Sequence, residues 1–170
     1  MTAVLFLKNL VFTVLVPGTV AVYVPYRLLG SPRRLPFGDV GPLRWLGILL
    51  VLGGAFLYLV CVLNFAVVGR GTPAPIDPPK SLVVSGPYKV CRNPIYIAVI
   101  SVIFGLSWVY ASRQTFLYGL AVWAAFHVFV VLYEEPTLRR SFGPAFDRYC
   151  ATVPRWHPRW PPVQSGCQER

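Results

Sequence analysis

The sequence predicts an all-α fold, a polytopic membrane helical bundle, and three observations carry that reading. Of the 170 residues, 55% are apolar and only 13% are charged, against roughly 25% charged in an average soluble domain. The charged residues cluster between long uncharged stretches, as a chain solvated mainly by lipid requires. Four of those stretches approach the about 20 residues that a helix needs to cross the hydrocarbon core. The net charge of +10 would suggest nucleic acid in a soluble chain, but membrane lipids with anionic headgroups are the simpler partner here. Residues 1–170 read as a single membrane domain, with no nucleic acid bound and the oligomeric state left open.

The first span covers about residues 10–28. Pro17-Gly18 and Pro25 fall inside it, so a kink is expected, with neighbouring helices or side chains satisfying the freed carbonyls. Lys8 ahead of an apolar run is also how a signal peptide begins, but no small-residue cleavage site follows. The second span, residues 45–68, holds Gly53-Gly54, where another helix can approach closely. A loop over residues 69–93, rich in Gly and Pro at its start and again at Pro78-Pro79, leads into the third span, residues 94–112. Pro94 opens it from a favoured first-turn position. Only Arg113 and Gln114 separate it from the fourth span, residues 115–133, which demands a tight antiparallel hairpin.

Residues 134–160 then form a polar, basic C-terminal segment, and residues 161–170 a loose tail. With four spans, the long loop and the C-terminal segment share one side and carry ten Lys and Arg, against five on the other side. The positive-inside rule places that side and both termini in the cytosol, although Arg33-Arg34 in the first loop votes the other way. Cys61, Cys91, Cys150 and Cys167 form no C-x-x-C pair, so free thiols are expected and no metal site is predicted.

Chemistry is expected where ionisable groups collect at the membrane face. One cluster runs from Ser85 to Tyr96 and turns at Gly86-Pro87 before Arg92, Asn93 and Tyr96 enter the third span. The other begins at Glu134-Glu135, at the end of a nineteen-residue, mainly apolar run, and continues through Arg139-Arg140. Each has an ordinary reading, as snorkelling anchors and interfacial aromatics in the first case and as a solvated helix end with i to i+4 pairs in the second. Both fall at the same face on helices that the hairpin makes neighbours, so together they can line one pocket. Within the fourth span, His127 reads as a hydrogen-bonded interhelical residue, and Asn64 in the second span reads the same way. Cys91 and Cys150 read as small apolar fillers.

These residues carry a resemblance. The Gly86-Pro87-Tyr88 turn followed by Arg92-Asn93-Pro94-x-Tyr96 is similar to the entry element of the isoprenylcysteine carboxyl methyltransferase and phospholipid methyltransferase family. Glu134-Glu135-x-x-Leu138-x-x-x-Phe142-Gly143, then Tyr149 and Val153-Pro154-Arg155-Trp156, resembles its C-terminal signature. Asn93 stands where many relatives carry His, which replaces a possible base with a hydrogen-bonding amide. The resemblance implies an integral membrane methyltransferase that uses S-adenosyl-L-methionine and a lipophilic acceptor, whether carboxylate, amine or thiol. By that analogy Glu134 and Arg140 orient the acceptor, while Gly86, Pro87, Tyr88, Arg92, Asn93, Pro94, Tyr96, Glu135, Tyr149 and Trp156 hold the cofactor. The rival expectations are a non-catalytic membrane scaffold, and a small ion or proton carrier lined by Glu134, Glu135 and His127.

Overall fold

The computed structural model describes residues 3–29, 41–69 and 81–159. The Gly- and Pro-rich start of the long loop, Pro78-Pro79, Arg33-Arg34, Cys167 and the expected tail lie outside the described residues. Those described form α1 (Ala3–Leu15), α2 (Val24–Leu29), α3 (Gly41–Asn64), α4 (Pro94–Val109), α5 (Arg113–Phe129), α6 (Glu135–Phe142) and α7 (Pro144–Thr152). Three continuous helical runs, Leu10–Leu29, Gly41–Val68 and Arg113–Phe142, are long and apolar enough to cross a membrane. The third expected span is shorter than the sequence suggests. At 16 residues, α4 extends about 24 Å at 1.5 Å per residue, less than the ~30 Å hydrocarbon core.

The reason lies in the hairpin. Ala111 takes a left-handed φ of 48°, which ends α4, and Ser112 caps α5 by accepting the Thr115 N–H at 3.2 Å. Arg113 and Gln114 are therefore the first turn of α5, and the link between the two helices is Tyr110 to Ser112.

Two of the membrane helices widen just before a proline. In the turn Thr19–Tyr23 the Val24 N–H reaches back five residues to the Thr19 carbonyl. In that register the Val20 carbonyl would face residue 25, a proline with no N–H to give. The Tyr118 hydroxyl of α5 donates to it instead, at 2.9 Å, so a neighbouring helix satisfies the orphaned group. The turn Val130–Glu134 repeats the device. There the Glu135 N–H donates to the Val130 carbonyl, again five residues back, immediately ahead of Pro136.

Helices α3 and α4 pack backbone to backbone. A methyl group on Gly54 would lie 2.7 Å from the Ala98 carbonyl oxygen, one on Gly47 2.8 Å from the Gly105 carbonyl, and one on Gly105 2.7 Å from the Gly47 carbonyl. Small residues at such crossings replace the hydrophobic drive that lipid removes. Gly53, the other half of the expected contact pair, faces open space. Against this pair the first helical run packs through Ala21 of the turn Thr19–Tyr23, which meets Val99 and Ile103, and through Thr13 of α1, which accepts the Tyr58 hydroxyl at 2.9 Å.

The arrangement predicts a sharp asymmetry between adjacent glycines. Gly54→Ala should cost about 1–3 kcal/mol through overpacking, whereas Gly53→Ala should be neutral or slightly stabilising because alanine favours helix. Denaturation of the two variants in detergent, followed by circular dichroism, measures the difference.

Candidate functional site

At the end of the bundle opposite the hairpin, four segments converge: residues 81–93, the start of α4, the junction of α5 with α6, and residues 149–159. The first is shaped by Gly86, whose φ of 55° begins a tight turn over Gly86–Lys89. A Cβ on Gly86 would also lie 2.7 Å from the Asn64 amide nitrogen. Asn64 accepts the Ser85 hydroxyl at 2.9 Å and donates to the Val60 carbonyl at 2.9 Å, so it serves the loop and its own helix rather than a second helix. Tyr88 is buried against Cys61 and Val83. Its carbonyl accepts the Tyr149 hydroxyl at 2.8 Å, which ties α7 to the turn.

The centre of the cluster is Glu135. Arg155 holds it with two parallel bonds, Nε to Oε1 at 2.7 Å and NH2 to Oε2 at 2.8 Å. Arg92 NH1 approaches the same Oε1 at 3.1 Å, and both side chains are only 13% exposed. Two guanidiniums on one shielded carboxylate form a charge-assisted network whose strength depends on all its members. The Arg155 backbone joins in, since its carbonyl accepts the Asn93 amide at 3.2 Å and the Cys91 thiol at 3.3 Å. The Arg92 N–H donates to the Pro154 carbonyl at 3.0 Å, and Arg92 NH1 meets Cys150 Sγ at 2.7 Å. Burial raises the thiols of Cys91 and Cys150 and the phenols of Tyr88 and Tyr149 above their ordinary values. All four are therefore neutral at physiological pH. The two cysteines do more than fill space, because Cys91 donates and Cys150 accepts.

Glu134 is placed differently. Its Oε2 accepts the Tyr96 hydroxyl at 2.6 Å, and the Tyr96 ring lies 4.7 Å from that of Phe126. No ion pair reaches Glu134 among the described residues. In the same cluster the buried Arg92 Nε has no hydrogen-bond partner among the described residues. Tyr88 lies within electrostatic reach of Glu134. Arg140 is exposed on α6, six residues beyond Glu134 and on a different face of the helix, so these two are not brought together. Gly86, Pro87, Tyr88, Arg92, Asn93, Pro94, Tyr96, Glu135 and Tyr149 all fall in the convergent segments.

Trp156 sits at the edge of this cluster. Its indole N–H donates to His127 Nδ1 at 3.0 Å, and the His127 ring lies 6.0 Å from Trp123 and 5.9 Å from Trp156. The partner of His127 is thus the C-terminal segment, not another spanning helix. Trp156 also lines an apolar groove of about 370 Å³ that runs beside α4 from Ile97 to Trp108 and is bordered by Phe116 and Trp123 of α5 and Leu50 of α3. Sequence reasoning left Arg155 within a matched motif and gave it no role. Its position one residue before Trp156, in a segment rich in cations, was the available signal.

Losing one partner of a shielded ion pair costs about 3–5 kcal/mol, whereas an exposed pair contributes about 0–1 kcal/mol. Glu135→Gln should therefore strongly destabilise the protein and expose residues 149–159 to proteolysis. Asp147→Asn should do neither, since Asp147 meets Arg139 at 2.7 Å with both side chains more than half exposed. Limited digestion with mass mapping distinguishes the two variants.

Comparison with known proteins matches residues 42–145 to the phospholipid methyltransferase family. The nickel-cobalt-cadmium resistance protein NccN of Alcaligenes xylosoxydans xylosoxydans is 33% identical over 78 residues, 46% of this chain and 36% of its own. The cobalt-zinc-cadmium resistance protein CzcN of Cupriavidus metallidurans is 32% identical over 80 residues, 47% of this chain and 37% of its own. The chain thus spans little more than a third of the length of these relatives. No solved structure matches. The family match covers more than half of the chain and takes in α3, α4, α5, α6 and the acidic pair, so the protein belongs to the phospholipid methyltransferase family, a family of membrane methyltransferases.

Proposed function

We propose that the protein transfers a methyl group from S-adenosyl-L-methionine to a lipophilic acceptor, at the polar cluster between the start of α4 and the α5–α6 junction. The observation that carries this reading is the unequal environment of the adjacent acids. Glu135 is consumed by Arg92 and Arg155, while among the described residues Glu134 meets only the Tyr96 hydroxyl. A carboxylate left without a counter-cation beside aromatic rings suits a positively charged partner.

The residues fit the cofactor on both sides of its charge. The buried Arg92 Nε, which has no hydrogen-bond partner among the described residues, is a donor suited to a carboxylate, and Glu134 suits an ammonium or sulfonium. Gly86 and Pro87 set the turn, Pro94 starts α4, and Asn93 with Tyr149 hold the walls, so these act by positioning. When bound, the cofactor supplies an electrophilic methyl on sulfur. Displacement requires a deprotonated acceptor aimed in line, and Glu134 is the group that takes its proton in this reading. Arg140, exposed on another face, has no part in this reading. The two relatives' names speak of metal resistance and specify no reaction. Among the described residues no group of three His, Cys, Asp or Glu could hold a metal ion. The excess of basic residues on its side of the bundle supports a cytosolic site in this reading.

Calorimetric titration of the detergent-solubilised protein with S-adenosylhomocysteine tests the reading. Saturable binding is expected, weakened at least about tenfold, or 1.4 kcal/mol, by Glu134→Gln and less by Tyr96→Phe. Absence of binding to a folded sample, or binding indifferent to Glu134, would refute it.

A further inference from the structure

The apolar groove beside α4 is not needed to hold a methyl donor, yet it meets the polar cluster at one residue. Arg155 clamps Glu135, and the next side chain, Trp156, forms part of the groove wall. Its position is pinned. An indole N–H can only donate, and His127 Nδ1 accepts it at 3.0 Å. Trp123, His127 and Trp156 thereby form one continuous aromatic wall.

The dimensions of the groove are informative. From Ile97 to Trp108 it follows eleven residues of helix, about 16 Å. At roughly 30 Å³ for a water-sized or methylene-sized group, its 370 Å³ takes about a dozen such groups. That is one hydrocarbon chain and not two. The groove lies between apolar helices, where lipid hydrocarbon is the solvent, and Trp123 on its rim is 46% exposed, which leaves a lateral way in.

We propose that Trp156, pinned by His127, is a specificity-determining residue, closing the polar end of a groove that seats a single hydrocarbon chain of about a dozen carbons on the methyl acceptor. The proposal rests on the methyltransferase reading for the word acceptor, and on geometry alone for the chain seat. A single-chain amphiphile enters with its head at the Glu134 end and its tail toward Trp108, and the indole limits how far the head is drawn in.

The test uses the full chain reconstituted in phosphatidylcholine bilayers, with a series of single-chain alkylamines of increasing length carrying a terminal photoreactive diazirine. Adducts are mapped by peptide mass spectrometry in the absence of any methyl donor. Saturable labelling near Phe104, Trp108 and Phe116 is expected, strongest at about a dozen carbons and displaced by the unreactive amine. Trp156→Ala should move the optimum to longer chains. His127→Leu should do the same, while His127→Asn, whose carbonyl can still accept the indole N–H, should keep the original profile. Unsaturable labelling spread equally over the lipid-facing side of α3, at Trp45 and Phe56, would overturn the proposal. So would a length profile that none of the three variants alters. Because no donor is present, failed cofactor binding would sink the proposed reaction alone, and failed labelling the chain seat alone.

Discussion

The arrangement of this protein turns on one carboxylate. Glu135 stands where a long apolar helix ends, a place where an unpaired charge is costly, and it is shielded on all sides that matter by Arg92 and Arg155. Those two arginines come from segments that are far apart in the chain, one leading into α4 and the other following α7. A single charge requirement therefore draws the C-terminal segment back onto the membrane bundle. The backbone bonds from Arg92 to Pro154 and from Arg159 to Val90, with Asn93 and Cys91 on the Arg155 carbonyl, then fix the register of that return. Neighbouring Glu134 meets no cation among the described residues because Glu135 has taken Arg92 and Arg155.

The bundle beneath supplies the rigid frame. Close contact between α3 and α4 through Gly47, Gly54 and Gly105 fixes the level at which α4 begins, and with it the depth of Arg92, Asn93 and Tyr96. On the other side, the widened turn Val130–Glu134 precedes Pro136 and adjusts the rotation of the acidic pair. A proline that looks like a simple helix stop accompanies a change of winding that sends the two acids to different partners. Wide turns of this kind recur at functional positions in helices.

Much of this was legible in the sequence, and the limits are physical. The all-α membrane class follows from composition, because lipid leaves little choice of backbone structure. The two motif clusters were legible because polar residues next to long apolar runs are conspicuous. Their meeting was inferable from the short hairpin. What could not be read was the division of labour between Glu134 and Glu135, since adjacent acids look alike until distant arginines are placed. The same holds for the indole on His127, a pairing across 29 positions. Gly47 and Gly105 carry no local signature, whereas Gly53-Gly54 drew notice as a pair and only Gly54 packs. The end of α4 at Val109 rests on the left-handed Ala111, a conformation that nothing in the residue type announces.

The proposed reaction makes the start of α4 and the C-terminal segment one cofactor-binding unit joined through Glu135. Hydrogen–deuterium exchange of the solubilised protein, with and without S-adenosylhomocysteine, tests it most directly. The ligand should slow exchange together in residues 85–96 and 149–156. Protection of only one of these segments, or of neither while the ligand is bound, would contradict it.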